Sequence, residues 1–300
     1  MRSTALAVVL ATATLSAAPA VYRAEIAKYR ADRVAELKAP NGWLAVAGLF
    51  WLRDGANSAG SDPHADVRLP ARARSRIGMF TLQSGQVTFT IDPAAQVTAD
   101  GRPVTTFTFD PSREEHSAIV SSGVTMFIIR RGDRFGVRML DPDSDSRRHF
   151  AGLKYFPLDP TYRVRARFVP YPDAKRIPIL NVLGMMVQME SPGYVEFTLK
   201  GKQYRLEPVY ETSKRENLFF LFRDLTSSAE TYGAGRFLHA PLPDHGTVDL
   251  DFNRAYNPPC AFTAFATCPL PPSQNHLAVR IEAGELKYEG HGTSDGAPRS

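Results

Sequence analysis

Three observations predict a mainly β protein. Short alternating apolar and polar runs fill residues 61 to 140 and recur beyond residue 161, the two-residue period of half-buried strands. Dipeptides with glycine second (Ser84-Gly85, Asp100-Gly101, Ser122-Gly123) separate those runs, as hairpin turns needing a positive φ demand. Only one segment carries a helical period. The expected architecture is an antiparallel sandwich-like first half and a barrel-like second half, with one N-terminal amphipathic helix.

The chain opens with Arg2, an apolar run from Ala5 to Leu15 and the small-residue pattern Ala18-Pro19-Ala20. That is the build of a secretory signal peptide over residues 1–20, too short in its apolar part to span a bilayer. With no cysteine near the cleavage point, a soluble periplasmic or extracellular protein of 300 − 20 = 280 residues is expected. Tyr22, Ile26, Tyr29, Arg30, Val34 and Leu37 then recur at steps of three and four, predicting a helix over residues 22–38 that stops at Pro40 and Gly42. In NGWLAVAGLFWL, Trp43 and Trp51 flank an apolar stretch that reads as core packing.

Strands follow at VTFTI (87–91), VTTFTF (104–109), TMFII (125–129) and FGVRML (135–140). DPDSDSRRHF (141–150) is a polar loop and a boundary between halves. In TYRVRARFVPY (161–171), Arg163, Arg165 and Arg167 share one strand face, either a solvated surface or an anion-binding row. A hairpin is expected at 194–211, and strands at 218–225, 247–253 and 276–284. The Gly-, Ser- and Pro-rich residues 291–300 read as a disordered tail. The division is thus 1–20, 21–55 with helix and tryptophans, 56–145 sandwich-like, 146–290 barrel-like, and 291–300.

The net charge of +5 is spread without a basic block, which argues against nucleic acid, and no transmembrane segment is predicted. The only two cysteines, Cys260 and Cys268, read as a disulfide in an exported protein, stabilising by about 2 to 3 kcal/mol on the chain-entropy model. Free thiols, or a metal site drawing in His276, are the alternative. No nucleophile elbow, HExxH, P-loop or dinucleotide fingerprint occurs, and no cofactor is expected.

The densest chemistry lies in DFNRAYNPPCAFTAFATCPLPP (251–272) and, upstream, TYGAGRFL (231–238). Arg236 and Arg254 supply charge for a carboxylate or phosphate, and Asp251, Asn253, Tyr256 and Asn257 supply directional hydrogen bonds. Those six residues form the candidate wall of a site for a small anionic or sugar-like ligand. The same groups could instead form a buried polar latch, with Asp251 paired to Arg236 or Arg254. A hydrolase would use Asp249 and Asp251, which share a strand face at about 6 to 7 Å, the spacing of an inverting glycosidase pair.

These motifs, with NGWLAVAGLFWLRDGANSAGSD (41–62), FPLDP (156–160) and DLTSSAETYGAGRFL (224–238), resemble the family catalogued as domain of unknown function 1684 (DUF1684). That family implies no activity and no catalytic residue. The segment around TADGRPV (98–104) also resembles a forkhead-associated β-sandwich, without the pattern that reads phosphothreonine.

Overall fold

The computed structural model describes residues 19–110 and 117–290. The expected signal peptide falls almost wholly, and the expected tail wholly, outside the described residues. Strand is the dominant regular structure, with 44% of the chain in strands and 14% helical. The helix runs Ala20–Lys38 and turns Tyr22, Ile26, Arg33 and Leu37 inward. Arg33 is the departure from expectation, a charge at an inward position one turn before Leu37.

The first half builds two sheets. One orders Val46–Trp51, Arg134–Leu140, Val124–Arg131, Ala118–Ser121, Thr98–Ala99 and Arg102–Pro103; the other orders Val67–Arg68, Gly55–Gly60, Gly78–Gln83, Gln86–Ile91 and Thr106–Phe109. All pairings are antiparallel except Ala59–Gly60 on Val67–Arg68. At Ser84-Gly85 both residues have positive φ, 50° and 78°, the conformation a tight hairpin of matching twist requires. Phe80, Phe89, Val87, Met126 and Val137 close a shared core between the sheets.

The second half is not a closed barrel. A four-stranded sheet orders Lys202–Leu206, Met186–Leu199, Arg163–Leu180 and Thr247–Asp251, beside a separate hairpin of Asn217–Phe222 and Arg236–Pro241. Leu218, Phe220, Phe222, Leu238, Leu250 and Phe252 fill the space between them. The arginine row finds cross-strand partners: Arg163 meets Asp249 at 3.4 Å, Arg165 meets Thr247 and Arg167 meets Glu196. Those partners make it a solvated face.

The expected strand at 276–284 is not formed. Backbone pairing is confined to a short parallel stretch, where the Leu277 N–H donates to the Arg223 carbonyl at 2.8 Å and the Leu225 N–H to the Val279 carbonyl at 2.9 Å. Beyond it side chains take over: the Ile281 N–H donates to Asp224 Oδ2 at 2.7 Å, and the Ile281 and Ala283 carbonyls accept from Arg236. No helix among the described residues is long and apolar enough to cross a membrane.

Candidate functional site

The strand Thr247–Asp251 ends in a turn of 3-10 helix, Phe252–Arg254, so alternation stops at Asp251. The polar residues that follow therefore point to different neighbours. Asp251 Oδ1 accepts from the Tyr22 hydroxyl at 2.8 Å and from the Asn253 backbone at 3.1 Å. Asn253, fully buried, donates to the Asp159 carbonyl at 2.9 Å and to Tyr22 at 3.1 Å. Arg254 is half-buried, 3.4 Å from Asp251, 3.9 Å from Glu25 and against the Tyr29 ring, and its carbonyl accepts from the Tyr29 hydroxyl. Asn257 donates its backbone N–H to Glu285 at 2.8 Å and its side-chain amide to Leu286. Together these residues fasten the N-terminal helix and the C-terminal segment to the second-half core.

Arg236 begins a strand rather than standing in an open turn. Its side chain is 1% exposed and 3.2 Å from the equally buried Asp224. Burial pushes the guanidinium below its usual range, and Asp224 opposes that push. Asp224 also accepts from Thr226 at 2.9 Å. The two expected arginines are thus far apart in role, and Asp249 and Asp251 do not converge: Asp249 is exposed, and Asp251 is buried beneath the helix.

Of the six, Tyr256 lines a cleft. That cleft, of about 270 Å³, lies where the helix, the first-half sheet and the second half meet. The helix contributes Arg33 and Glu36, and the first half Trp43 and Arg131. Glu211, Phe219, His239, Tyr256, Thr267 and Cys268 line the second-half side. A recess of about 330 Å³ shares Arg33, Glu36, His239 and Tyr256 with it. Junctions between lobes are common ligand sites because neither lobe alone can enclose a small molecule.

The cleft's charges are set by their partners. Arg33 is held by Glu285 at 3.4 Å, by the Asn257 carbonyl at 3.1 Å and by Glu36 at 3.4 Å, and its guanidinium covers the Tyr256 ring. Arg131 donates to Thr267 at 3.0 Å and to the Arg130 carbonyl, with no carboxylate in ion-pair range among the described residues. Behind it, Arg138 is buried against Trp43 with an unpartnered Nε, and burial with help from Arg131 pushes it down to about 10.

His239 is stacked against Phe219 at 4.8 Å and Tyr256 at 5.8 Å. Its Nδ1 meets Asn217 at 3.0 Å and its Nε2 faces Glu211 at 3.6 Å. Burial pushes His239 down and Glu211 up, the latter aided by Glu36. A depressed histidine favours the fold while neutral, so this contribution should be lost as pH falls through the ordinary imidazole range. Thermal unfolding at pH of about 7.5 and about 5.5 should show a smaller acid loss in His239→Gln than in the wild type.

Cys260 and Cys268 are free thiols, and the expected disulfide is not formed in the structure. They are neighbours nonetheless: the Cys260 N–H donates to the Cys268 sulfur at 3.1 Å and the reverse bond measures 3.4 Å. A hydrogen bond from Cys268 pulls Cys260 down, and burial pushes Cys268 up. Among the described residues no group of three or more His, Cys, Asp or Glu is placed to hold a metal.

Arg33, Arg131, Glu211 and His239 were absent from the sequence-based candidates. Arg131 and His239 sit in apolar strand runs and Arg33 on a charged helix, so no local pattern marks them. Only Arg33 had a readable signal, its spacing of seven from Ile26 and four from Leu37.

The family model described as Protein of unknown function (DUF1684) matches residues 148–286, a narrower span than the motifs upstream had implied. An uncharacterized protein from Haloarcula marismortui, solved by NMR, is 32% identical over 48% of this chain and 81% of its own, with a TM-score of 0.41. An FHA domain solved with an intracellular domain is 15% identical, over 30% of this chain and 96% of its own, at a TM-score of 0.23. Another, from work on phosphothreonine-dependent interactions, is 14% identical over 31% and 92%, also at 0.23. Scores this low carry nothing about ligands. No curated protein matches the chain.

Proposed function

The chain belongs, through residues 148–286, to the DUF1684 family, and because that family brings no activity we propose from the site itself that this protein binds a small anionic ligand in the cleft between its halves. The observation that carries this reading is Arg131. It lines the cleft, and no carboxylate of the described residues neutralises either it or Arg138 behind it. Two adjacent guanidinium groups in a partly dry wall repel each other, and an incoming carboxylate or phosphate relieves that repulsion.

The binding role expected of the 251–257 motif narrows on this reading to Tyr256, the other residues serving as a latch. Paired-aspartate hydrolysis has no support, since Asp249 meets Arg163 and Asp251 meets Tyr22. Isothermal titration with inorganic phosphate, acetate and citrate is the test. Binding that weakens about tenfold or more in Arg131→Met supports the reading, since one charge-assisted contact is worth roughly 1.5 to 3 kcal/mol. Equal affinity in the variant overturns it.

Export and the disulfide belong to the same proposal. The apposed thiols need only an oxidising compartment and an oxidant to join. Expressed with its own N-terminus, the protein should be recovered from the periplasm lacking residues 1–20 and with no free thiol by mass spectrometry. Alkylation of both cysteines in that sample would refute the bond.

A further inference from the structure

We propose that the ligand of this cleft is a zwitterion, an amino acid or an aminoalkyl phosphate, whose anionic group meets Arg131 and whose ammonium group meets Glu211. The inference rests on the anion-binding reading above and adds the second charge.

Two unneutralised charges of opposite sign line the same cleft. Arg131 comes from the first-half strand Val124–Arg131 and is without a carboxylate partner among the described residues. Glu211 comes from the second half, between two edges of chain that also bring in Phe219 and His239. Its carboxylate is half exposed and lies 3.6 Å from His239. That neighbour is no standing counter-charge. Burial favours its neutral form, and Nδ1 is occupied by Asn217.

Glu36 adds negative potential on the same side. Most of its side chain is in solvent, and its one ion pair, with Arg33, is stretched to 3.4 Å. Arg33 cannot serve Glu211 as well, because Glu285 and the Asn257 carbonyl already hold it. A simple anion would satisfy Arg131 and leave Glu211 facing more negative charge. An ammonium group on the same molecule removes that penalty, and a neutral hydroxyl removes only part of it.

The walls between these groups suit a short body. Trp43 is covered on one side by Arg138, and Tyr256 lies between Arg33 and His239. Arg33 and His239 already occupy the Tyr256 ring, whereas its hydroxyl has no partner among the described residues and can take a hydrogen bond. A compact linker with charged ends fits these walls better than a flat sugar ring.

The experiment compares matched probes on the full chain by isothermal titration: phosphoethanolamine against ethyl phosphate, and L-alanine against propanoate. At least one zwitterion should bind about tenfold tighter than its deaminated partner, a ratio equivalent to about 1.4 kcal/mol. Glu211→Gln should erase that ratio and let ethyl phosphate bind at least as tightly as before, since the carboxylate that opposes a simple anion is gone, while Arg131→Met should weaken every probe. Wild-type protein that binds each deaminated partner as tightly as its zwitterion overturns the proposal and leaves the anion reading standing. Ethyl phosphate binding that is indifferent to Arg131→Met overturns both, as does the absence of any binding at millimolar probe. A ratio that survives Glu211→Gln removes Glu211 from the site.

Discussion

Arg236→Ala should cost about 3 to 5 kcal/mol of folding stability, while Arg254→Ala should cost under about 1 kcal/mol. Arg236 pairs with Asp224 and Arg254 with Asp251, and the contrast follows from what each leaves behind. Arg236 is buried with Asp224 and also donates to the carbonyls of Ile281 and Ala283. Its loss strands a buried carboxylate and two carbonyls, although Thr226 and the Ile281 N–H still reach Asp224. Arg254 is 39% exposed, so water takes its place beside Asp251, which keeps its bonds to Tyr22 and Asn253. Urea unfolding followed by circular dichroism and by tryptophan fluorescence would compare the two. Similar costs for both would mean that burial does not separate them. A variant that replaces Arg236 and Asp224 together by Met and Leu should recover much of the loss, because no lone charge remains.

Glu285→Ala should be the second large loss, again about 3 kcal/mol or more. Glu285 is fully buried and binds both Arg33 and the Asn257 backbone N–H, so it joins the N-terminal helix to the end of the chain. Without it Arg33 keeps only the exposed Glu36 and one carbonyl. The helix should then open first, visible as early cleavage within residues 20–38 under limited proteolysis. Glu285→Gln should be milder, since an amide oxygen still accepts from Asn257.

Burial pushes Glu285 up more strongly than Arg33 and Asn257 pull it down. A carboxyl raised in the fold contributes most at low pH, and that contribution falls as pH rises through its folded value. The stability gap between wild type and Glu285→Gln should therefore shrink from the acid end toward neutrality. A gap that widens with pH would show that the ionised pair with Arg33 dominates.

Much of the fold was legible because local rules settle it. The helix Ala20–Lys38, the hairpins at Ser84-Gly85, Asp100-Gly101, Ser122-Gly123 and Lys200-Gly201, and most strands follow from period and turn chemistry alone. The run 276–284 misled because its backbone pairing stops after a short parallel stretch on Arg223–Leu225. Beyond it, the carboxylate of Asp224 and the guanidinium of Arg236 take the places of a neighbouring strand.

By itself the sequence determined the mainly β class, the position of the helix, and the polar density of residues 251–257. Those features depend on neighbours a few residues apart, whose geometry the backbone dictates. Only the tertiary structure showed that Asp251, Asn253 and Asn257 bond to Tyr22, Asp159 and the C-terminal segment, and that the cleft draws Arg33 from the helix, Arg131 from the first half, and Glu211 and His239 from the second. Whether a charge is spent on the fold or left for a ligand depends on which partner lies across the gap. That partner is commonly a hundred or more residues away, as Arg33 and Glu285 are, where no spacing rule reaches.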